Sequence, residues 1–145
     1  MQTTADAIQT PTTVLVADDD DDMRDLVAGT LRADGYAVLE ARDGADLLTQ
    51  LETAMGDPAA RPDLVVTDIM MPKLSGLGVL DALRRAQLHF PVILMTVLKD
   101  DSVYIVARRL GAVGVLRKPF DIDDLRTAVV NACLAYARRQ PGSEH

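Results

Sequence analysis

Five short apolar runs alternate with five segments of helical periodicity, and that alternation is what most restricts the fold of this chain. The runs are Thr13 to Ala17, Ala37 to Ala41, Leu64 to Thr67, Val92 to Met95 and Val113 to Leu116. Short, largely uninterrupted apolar runs of this kind suit strands buried on both faces. The segments between them read as helices. Helix one, from about Asp21 to Ala33, places Met23, Leu26, Val27, Thr30 and Leu31 on one face, and Asp34-Gly35 ends it. Helix two carries Leu47, Leu48 and Leu51 behind a capping Asp43. Helix three carries Leu77, Leu80 and Leu83. Helix four starts near Asp101 with Val103, Val106, Ala107 and Leu110. Helix five starts near Asp121 with Leu125, Ala128, Val129, Ala132, Cys133 and Tyr136. Met55 to Pro62 reads as a Gly/Pro/Ala loop. The expected division is a loose leader over 1–12, one domain over 13–137, and a tail or linker over 138–145.

Strict alternation predicts an α/β architecture: a five-stranded parallel sheet, doubly wound, of (βα)5 type. Right-handed crossovers put helices on both faces, and the flavodoxin-like strand order 2-1-3-4-5 is the natural arrangement for five such units. Parallel strands deliver all their C-terminal ends to one edge, where ligands of open α/β sheets bind. In this chain those ends carry chemistry. Asp18 and Asp19 follow the first run, with Asp20 just beyond; Asp68 follows the third; Lys118-Pro119 follows the fifth. Acids about 50 residues apart in sequence would thus meet in one pocket with a lysine opposite. Crowded carboxylates repel, and a divalent metal and an ammonium would offset that repulsion.

Each of these residues also has a plainer reading. Asp18 to Asp22 alone would be a solvated acidic turn capping helix one, with Asp21 and Asp22 favoured there by the helix dipole. Asp68 alone would be a strand-ending cap, Lys118 a surface lysine and Thr96 an ordinary loop hydroxyl, while Asp20 is expected to be an outer-shell acid. His89, before Phe90-Pro91, is expected to be structural or merely exposed, and Cys133 a buried helix residue. The joint placement of the strand-end residues outweighs these readings.

Composition excludes several classes of function. The 145 residues suffice for one domain with a proper core. A net charge of −7 and a pI near 4.6 argue against binding nucleic acid, which needs a basic surface. The single Cys133 rules out an internal disulfide and cysteine-rich zinc sites. No apolar stretch approaches the roughly 20 residues of a membrane span, and the N-terminus lacks a signal-peptide pattern. A cytoplasmic protein is expected.

The motifs VLVADDDDDMR, PDLVVTDIMMP, PVILMT and GVLRKPF, in that order and spacing, resemble those of response-regulator receiver domains of two-component signalling, with the fold of the chemotaxis regulators. The resemblance spans about Thr13 to Tyr136. It implies a bacterial phosphoprotein of the phosphorelay type. Asp68 would take a phosphoryl group from the phosphohistidine of a histidine kinase or phosphotransfer protein. It further implies that Asp18, Asp19 and Asp68 hold Mg²⁺, or Mn²⁺ in its place, with the backbone carbonyl of Met70. Thr96 and Lys118 would contact the phosphoryl group, and the Lys118-Pro119 bond is expected to be cis. A homodimer or output partner would use the face of helix four, strand five and helix five. The domain would not be an enzyme beyond self-phosphotransfer and slow autodephosphorylation.

Three positions depart from the family pattern. Val97 replaces the usual small residue after the threonine and is expected to hinder access to the pocket. Val115 replaces the tyrosine or phenylalanine that often acts as a switch. The loop Met55 to Pro62 is longer than usual. Alternative functions are a pseudo-receiver that binds partners without phosphorylation, and a hydrolase of the haloacid-dehalogenase type. The hydrolase would use Asp18 as nucleophile and would need a longer chain. Flavin binding lacks a Thr/Ser-rich phosphate loop after strand one.

Overall fold

The computed structural model of the chain describes residues 12–139. Residues 1–11 of the expected leader and 140–145 of the expected tail lie outside the described residues, as does the side chain of Tyr136. In chain order the elements are β1 (Thr13–Ala17), α1 (Asp21–Ala33), β2 (Ala37–Ala41), α2 (Gly44–Met55), β3 (Leu64–Asp68), α3 (Gly76–Arg85), β4 (Val92–Thr96), α4 (Asp101–Arg109), β5 (Gly114–Arg117) and α5 (Ile122–Arg139). The expected strands and helices are all present, with ends shifted by a residue or two. The loop after α2 contains one 3₁₀ turn, Pro58–Ala60. Helix α5 runs two residues into the segment expected to be tail.

The five strands form one parallel sheet in the order β2-β1-β3-β4-β5. Side chains alternate between its faces, so each strand feeds two cores. Leu15, Val65 and Leu94 point to one side, with Leu47 and Leu51 of α2, Leu80 and Leu83 of α3, and Ala107 of α4. Val14, Val16, Val66, Ile93 and Met95 point to the other, with Val27 and Leu31 of α1 and Leu125 and Val129 of α5. Central strands β3 and β4 are buried along their whole length, which explains why their sequences read as unbroken apolar runs.

Helix starts follow local chemistry. Asp20, Asp43, Ser75 and Asp100 each accept a hydrogen bond from a first-turn backbone N–H. Helix α1 is rotated slightly from the expected face: Val27, Ala28 and Leu31 are buried, while Leu26 is exposed. Val106 of α4 is exposed as well, and Cys133 is half-buried rather than buried. His89 is exposed on the loop before β4. Between α3 and α4, the Arg84 guanidinium donates to the carbonyls of Leu88 (2.8 Å), Leu110 (2.8 Å) and Gly111 (3.2 Å). It thereby satisfies carbonyls at the C-terminal end of α4 that the helix leaves unpaired.

Two glycines separate packing from backbone entropy. A Cβ on Gly44 would run into the carbonyl and Cβ of Leu74, where α2 meets the loop after β3. Gly29, in the exposed middle of α1, has nothing within 4 Å of the same position. Gly44→Ala should therefore lower stability by about 1–3 kcal/mol through overpacking. Gly29→Ala should raise it by about 0.5–1 kcal/mol by lowering the entropy of the unfolded chain. Urea denaturation of the two variants checks both signs.

Candidate functional site

The site lies at the C-terminal edge of the sheet. Register pairs Ala17 with Thr67, Asp68 with Met95, and Thr96 with Arg117. The residues that end or follow these strands, Asp18, Asp68, Thr96 and Lys118, therefore come level with one another. The Lys118 ammonium lies 3.0 Å from Asp18 Oδ2 and 3.2 Å from Asp68 Oδ2. Asp18 is fully buried and Asp68 is 8% exposed. Lys118 N–H donates to the Thr96 carbonyl at 2.7 Å, which joins β5 to β4 at this edge. The Lys118-Pro119 peptide is cis.

The second oxygen of each buried carboxylate also has a partner. Asp18 Oδ1 accepts from Asp20 N–H at 3.0 Å, and Asp68 Oδ1 from Met70 N–H at 3.3 Å. Asp19 is exposed, and its carboxylate accepts no hydrogen bond among the described residues. One oxygen from each of Asp18, Asp19 and Asp68 falls within 4.8 Å of the others. Three carboxylates converge there, two of them paired with Lys118. Hard oxygen donors with an excess of negative charge suit Mg²⁺ or Mn²⁺. The donor set therefore fits a divalent cation at Asp18, Asp19 and Asp68.

Burial pushes the Asp68 carboxyl above its usual range; Lys118 pulls it back only in part, and Asp18 adds to the rise. Burial works against the Lys118 charge too, but its bonds to Asp18 and Asp68 more than offset that, and its pKa is raised. The two directions are compatible. One lysine faces two carboxylates, whereas Asp68 faces a second carboxylate as well as the lysine.

Thr96 is buried, and its Oγ accepts from Leu98 N–H at 2.9 Å. The hydroxyl proton stays available for donation. Val97, the residue after Thr96, is 57% exposed. Met70 is 54% exposed beside Asp19, on an apolar cleft of about 510 Å³ that includes Met71, Pro72 and Leu77. Val115 is half-buried against the core on the α2–α3–α4 side. Asp20 caps α1: its Oδ1 accepts from Asp22 N–H and Met23 N–H.

Sequence reasoning passed over Arg24. Its guanidinium donates to the Asp18 carbonyl (2.8 Å), to Asp21 (2.7 Å) and to Glu40 of β2 (3.2 Å). A lone cation two residues past a run of five consecutive acids was the available signal.

Comparison with known proteins agrees with this arrangement. The family described as response regulator receiver domain matches residues 14–130. The alkaline phosphatase synthesis transcriptional regulatory protein PhoP of Bacillus subtilis is 34% identical over 116 residues, covering 80% of this chain and 46% of that protein. A probable transcriptional regulator, ycf27, of Cyanophora paradoxa is 38% identical over 118 residues, again 80% and 46%. The chain thus spans about half the length of these relatives. Among solved structures, the receiver domain of the Francisella response regulator 1452 superposes with a TM-score of 0.77 at 30% identity, covering 89% of this chain and 99% of that one. No helix among the described residues is long and apolar enough to cross a membrane. With the strand order, the strand-end acids and lysine, and the family match over most of its length all in agreement, the chain belongs to the response regulator receiver domain family of two-component signalling.

Proposed function

We propose that this domain takes a phosphoryl group onto Asp68 from the phosphohistidine of a histidine kinase or phosphotransfer protein. The phosphorylated form then regulates an output domain or a separate partner in the cytoplasm. The observation that carries this reading is the Asp18–Lys118–Asp68 cluster, with Asp19 and Thr96 beside it. In the transfer, an Asp68 oxygen attacks phosphorus, the P–N bond breaks, and the released ring nitrogen takes a proton. The product is an acyl phosphate. Such transfers rest on positioning and charge neutralisation. When bound by Asp18, Asp19, Asp68 and the Met70 carbonyl, Mg²⁺ or Mn²⁺ supplies positive charge that keeps Asp68 ionised. Lys118, already 3.2 Å from Asp68, meets a phosphoryl oxygen as a point charge. The Thr96 hydroxyl donates to another. Hydrolysis returns Asp68, so the domain turns over no external substrate.

The hydrolase alternative is disfavoured because Asp18 is fully buried, whereas Asp68 keeps some exposure to an incoming donor. The complete set of Asp68, Thr96 and Lys118 disfavours a pseudo-receiver. For output or homodimerisation we favour the face of α4, β5 and α5, where Tyr104, Ile105 and Val106 are exposed. Val115 offers no phenol there. Arg117 instead joins β5 to α4 through Asp101 at 3.3 Å and the Tyr104 ring at 5.7 Å.

Three variants test the reading. Asp68→Asn should abolish labelling by acetyl phosphate or phosphoramidate, and peptide mapping that places label on Asp18 would favour the hydrolase. The same variant should be at least as stable as the wild type without metal. Burial holds the folded Asp68 pKa above its unfolded value, so the charged form disfavours folding. That penalty is absent below the unfolded pKa and grows as pH rises through the folded one. Melting curves at pH 7 and at pH 3.5 should therefore show a gain for Asp68→Asn that shrinks at the lower pH.

Asp19→Asn should weaken Mg²⁺ binding and slow labelling together. Undiminished labelling of the wild type in excess chelator would contradict the metal requirement.

Val97 is stiff about χ1 and follows the threonine that meets the phosphoryl group. A 1 Å obstruction to a near-attack geometry costs up to about a hundredfold in rate. Val97→Ala should speed both gain and loss of phosphate with Mg²⁺ affinity unchanged. Rates equal to the wild type would remove Val97 as an access residue.

A further inference from the structure

We propose that Arg24 is a positioning residue for the metal-binding carboxylates, holding in place the peptide that joins Asp18 to Asp19. The inference deepens the phosphoacceptor reading above and rests on it.

The geometry is specific to a guanidinium. Nη1 donates to the Asp18 carbonyl at 2.8 Å, Nη2 to Asp21 Oδ1 at 2.7 Å, and Nε to Glu40 Oε1 at 3.2 Å. The Arg24 side chain is only 11% exposed, so it is held rather than loosely solvated. Glu40 is held in turn, because its second oxygen takes Arg32 Nη1 at 3.0 Å, and Arg32 also donates to the Val38 carbonyl of β2 at 3.1 Å. The sheet thus anchors Glu40, Glu40 orients Arg24, and Arg24 fixes the Asp18 carbonyl.

That carbonyl belongs to the one peptide unit between the two acids at the end of β1. The N–H of Asp18 is already tied to the Ala41 carbonyl at 3.2 Å, and its Oδ1 to Asp20 N–H at 3.0 Å. With the carbonyl also tied, the peptide plane is set, and with it the direction in which the chain delivers Asp19. Asp19 needs such help more than its neighbours. Asp18 and Asp68 are buried and held by Lys118, while Asp19 is exposed with no protein donor among the described residues. Arg24 also places one positive charge behind five consecutive acids. Charge and geometry make opposite forecasts. As a mere counter-charge it would weaken cation binding, and its removal would tighten it. As a positioning group its loss would weaken binding, even when the charge is kept.

Arg24→Lys separates the two, because lysine keeps the charge and loses the fork. Titration of Mg²⁺ into the ¹⁵N-labelled full chain, followed by amide shifts, reads affinity and fold in the same spectra. We expect Arg24→Lys to raise the Kd for Mg²⁺ about tenfold, as is common for groups that orient metal ligands, with Arg24→Met at least as weak. If Arg24→Lys binds within twofold of the wild type, or Arg24→Met binds more tightly, the proposal is overturned. Should Arg24→Lys not fold, Glu40→Gln decides, with Asp25→Asn as the control for one lost negative charge on an exposed part of α1. Glu40→Gln must bind Mg²⁺ more weakly than Asp25→Asn, and equal affinities overturn the proposal. Asp19→Asn is titrated alongside. If it binds like the wild type, the metal-site reading itself fails; if it is impaired while Arg24→Lys is not, only the role of Arg24 fails.

Discussion

One ammonium group joins parts of the chain that are 50 and 100 residues away from it in sequence. Lys118 Nζ reaches Asp68 and Asp18 at ordinary ion-pair distances, in surroundings where all three groups are largely withdrawn from water. Charges so placed are strongly destabilising when left alone. The three strands must therefore end level, in register, for the pocket to be tolerated at all. Parallel pairing of β1 with β3, β3 with β4 and β4 with β5 achieves this, and the two apolar cores hold that pairing rigid. The reactive edge and the packed interior are in this sense one arrangement. The cores supply the stability, and the edge concentrates a like-charge conflict that a cation or a phosphoryl group can relieve.

Much of this was legible beforehand because the controlling patterns are short-ranged. The runs at Val14, Leu64 and Val92 are unmistakable, since strands buried on both faces leave no room for polar interruptions. Asp43 and Gly35 mark helix ends through backbone chemistry that depends on one residue type. The convergence of Asp18, Asp68 and Lys118 could be read because a parallel sheet brings strand ends together whatever the loops do.

What was not legible depends on three-dimensional detail. Asp20 looks no different in sequence from Asp19, yet one caps a helix and the other faces solvent beside the pocket. That outcome turns on a backbone dihedral at the start of α1. Leu26 shares the helical period of Val27 and Leu31, but the core side of α1 is narrower than the periodicity allows, so Leu26 stays outside. Arg24 escaped notice because its partners beyond its own helix lie on two different elements, the loop after β1 and the edge strand β2. No spacing rule links Arg24 to Glu40. The metal-binding roles of the acids and the phosphoryl contacts of Thr96 and Lys118 follow from the family likeness and from donor chemistry, which no single spacing encodes.

The carbonyl cluster gathered by Arg84 has a mechanical meaning. Helix α4 is clamped at its C-terminal end, where Leu110 and Gly111 are tied to α3. Its N-terminal end follows directly from the short Val97–Asp100 connection beyond the buried Thr96. A rod pinned at one end has its fulcrum there. A displacement of the strand-four edge would therefore reach α4 at its N-terminal end, where the exposed Arg117–Asp101 pair meets it, and would move Asp101 further than residues 109–111.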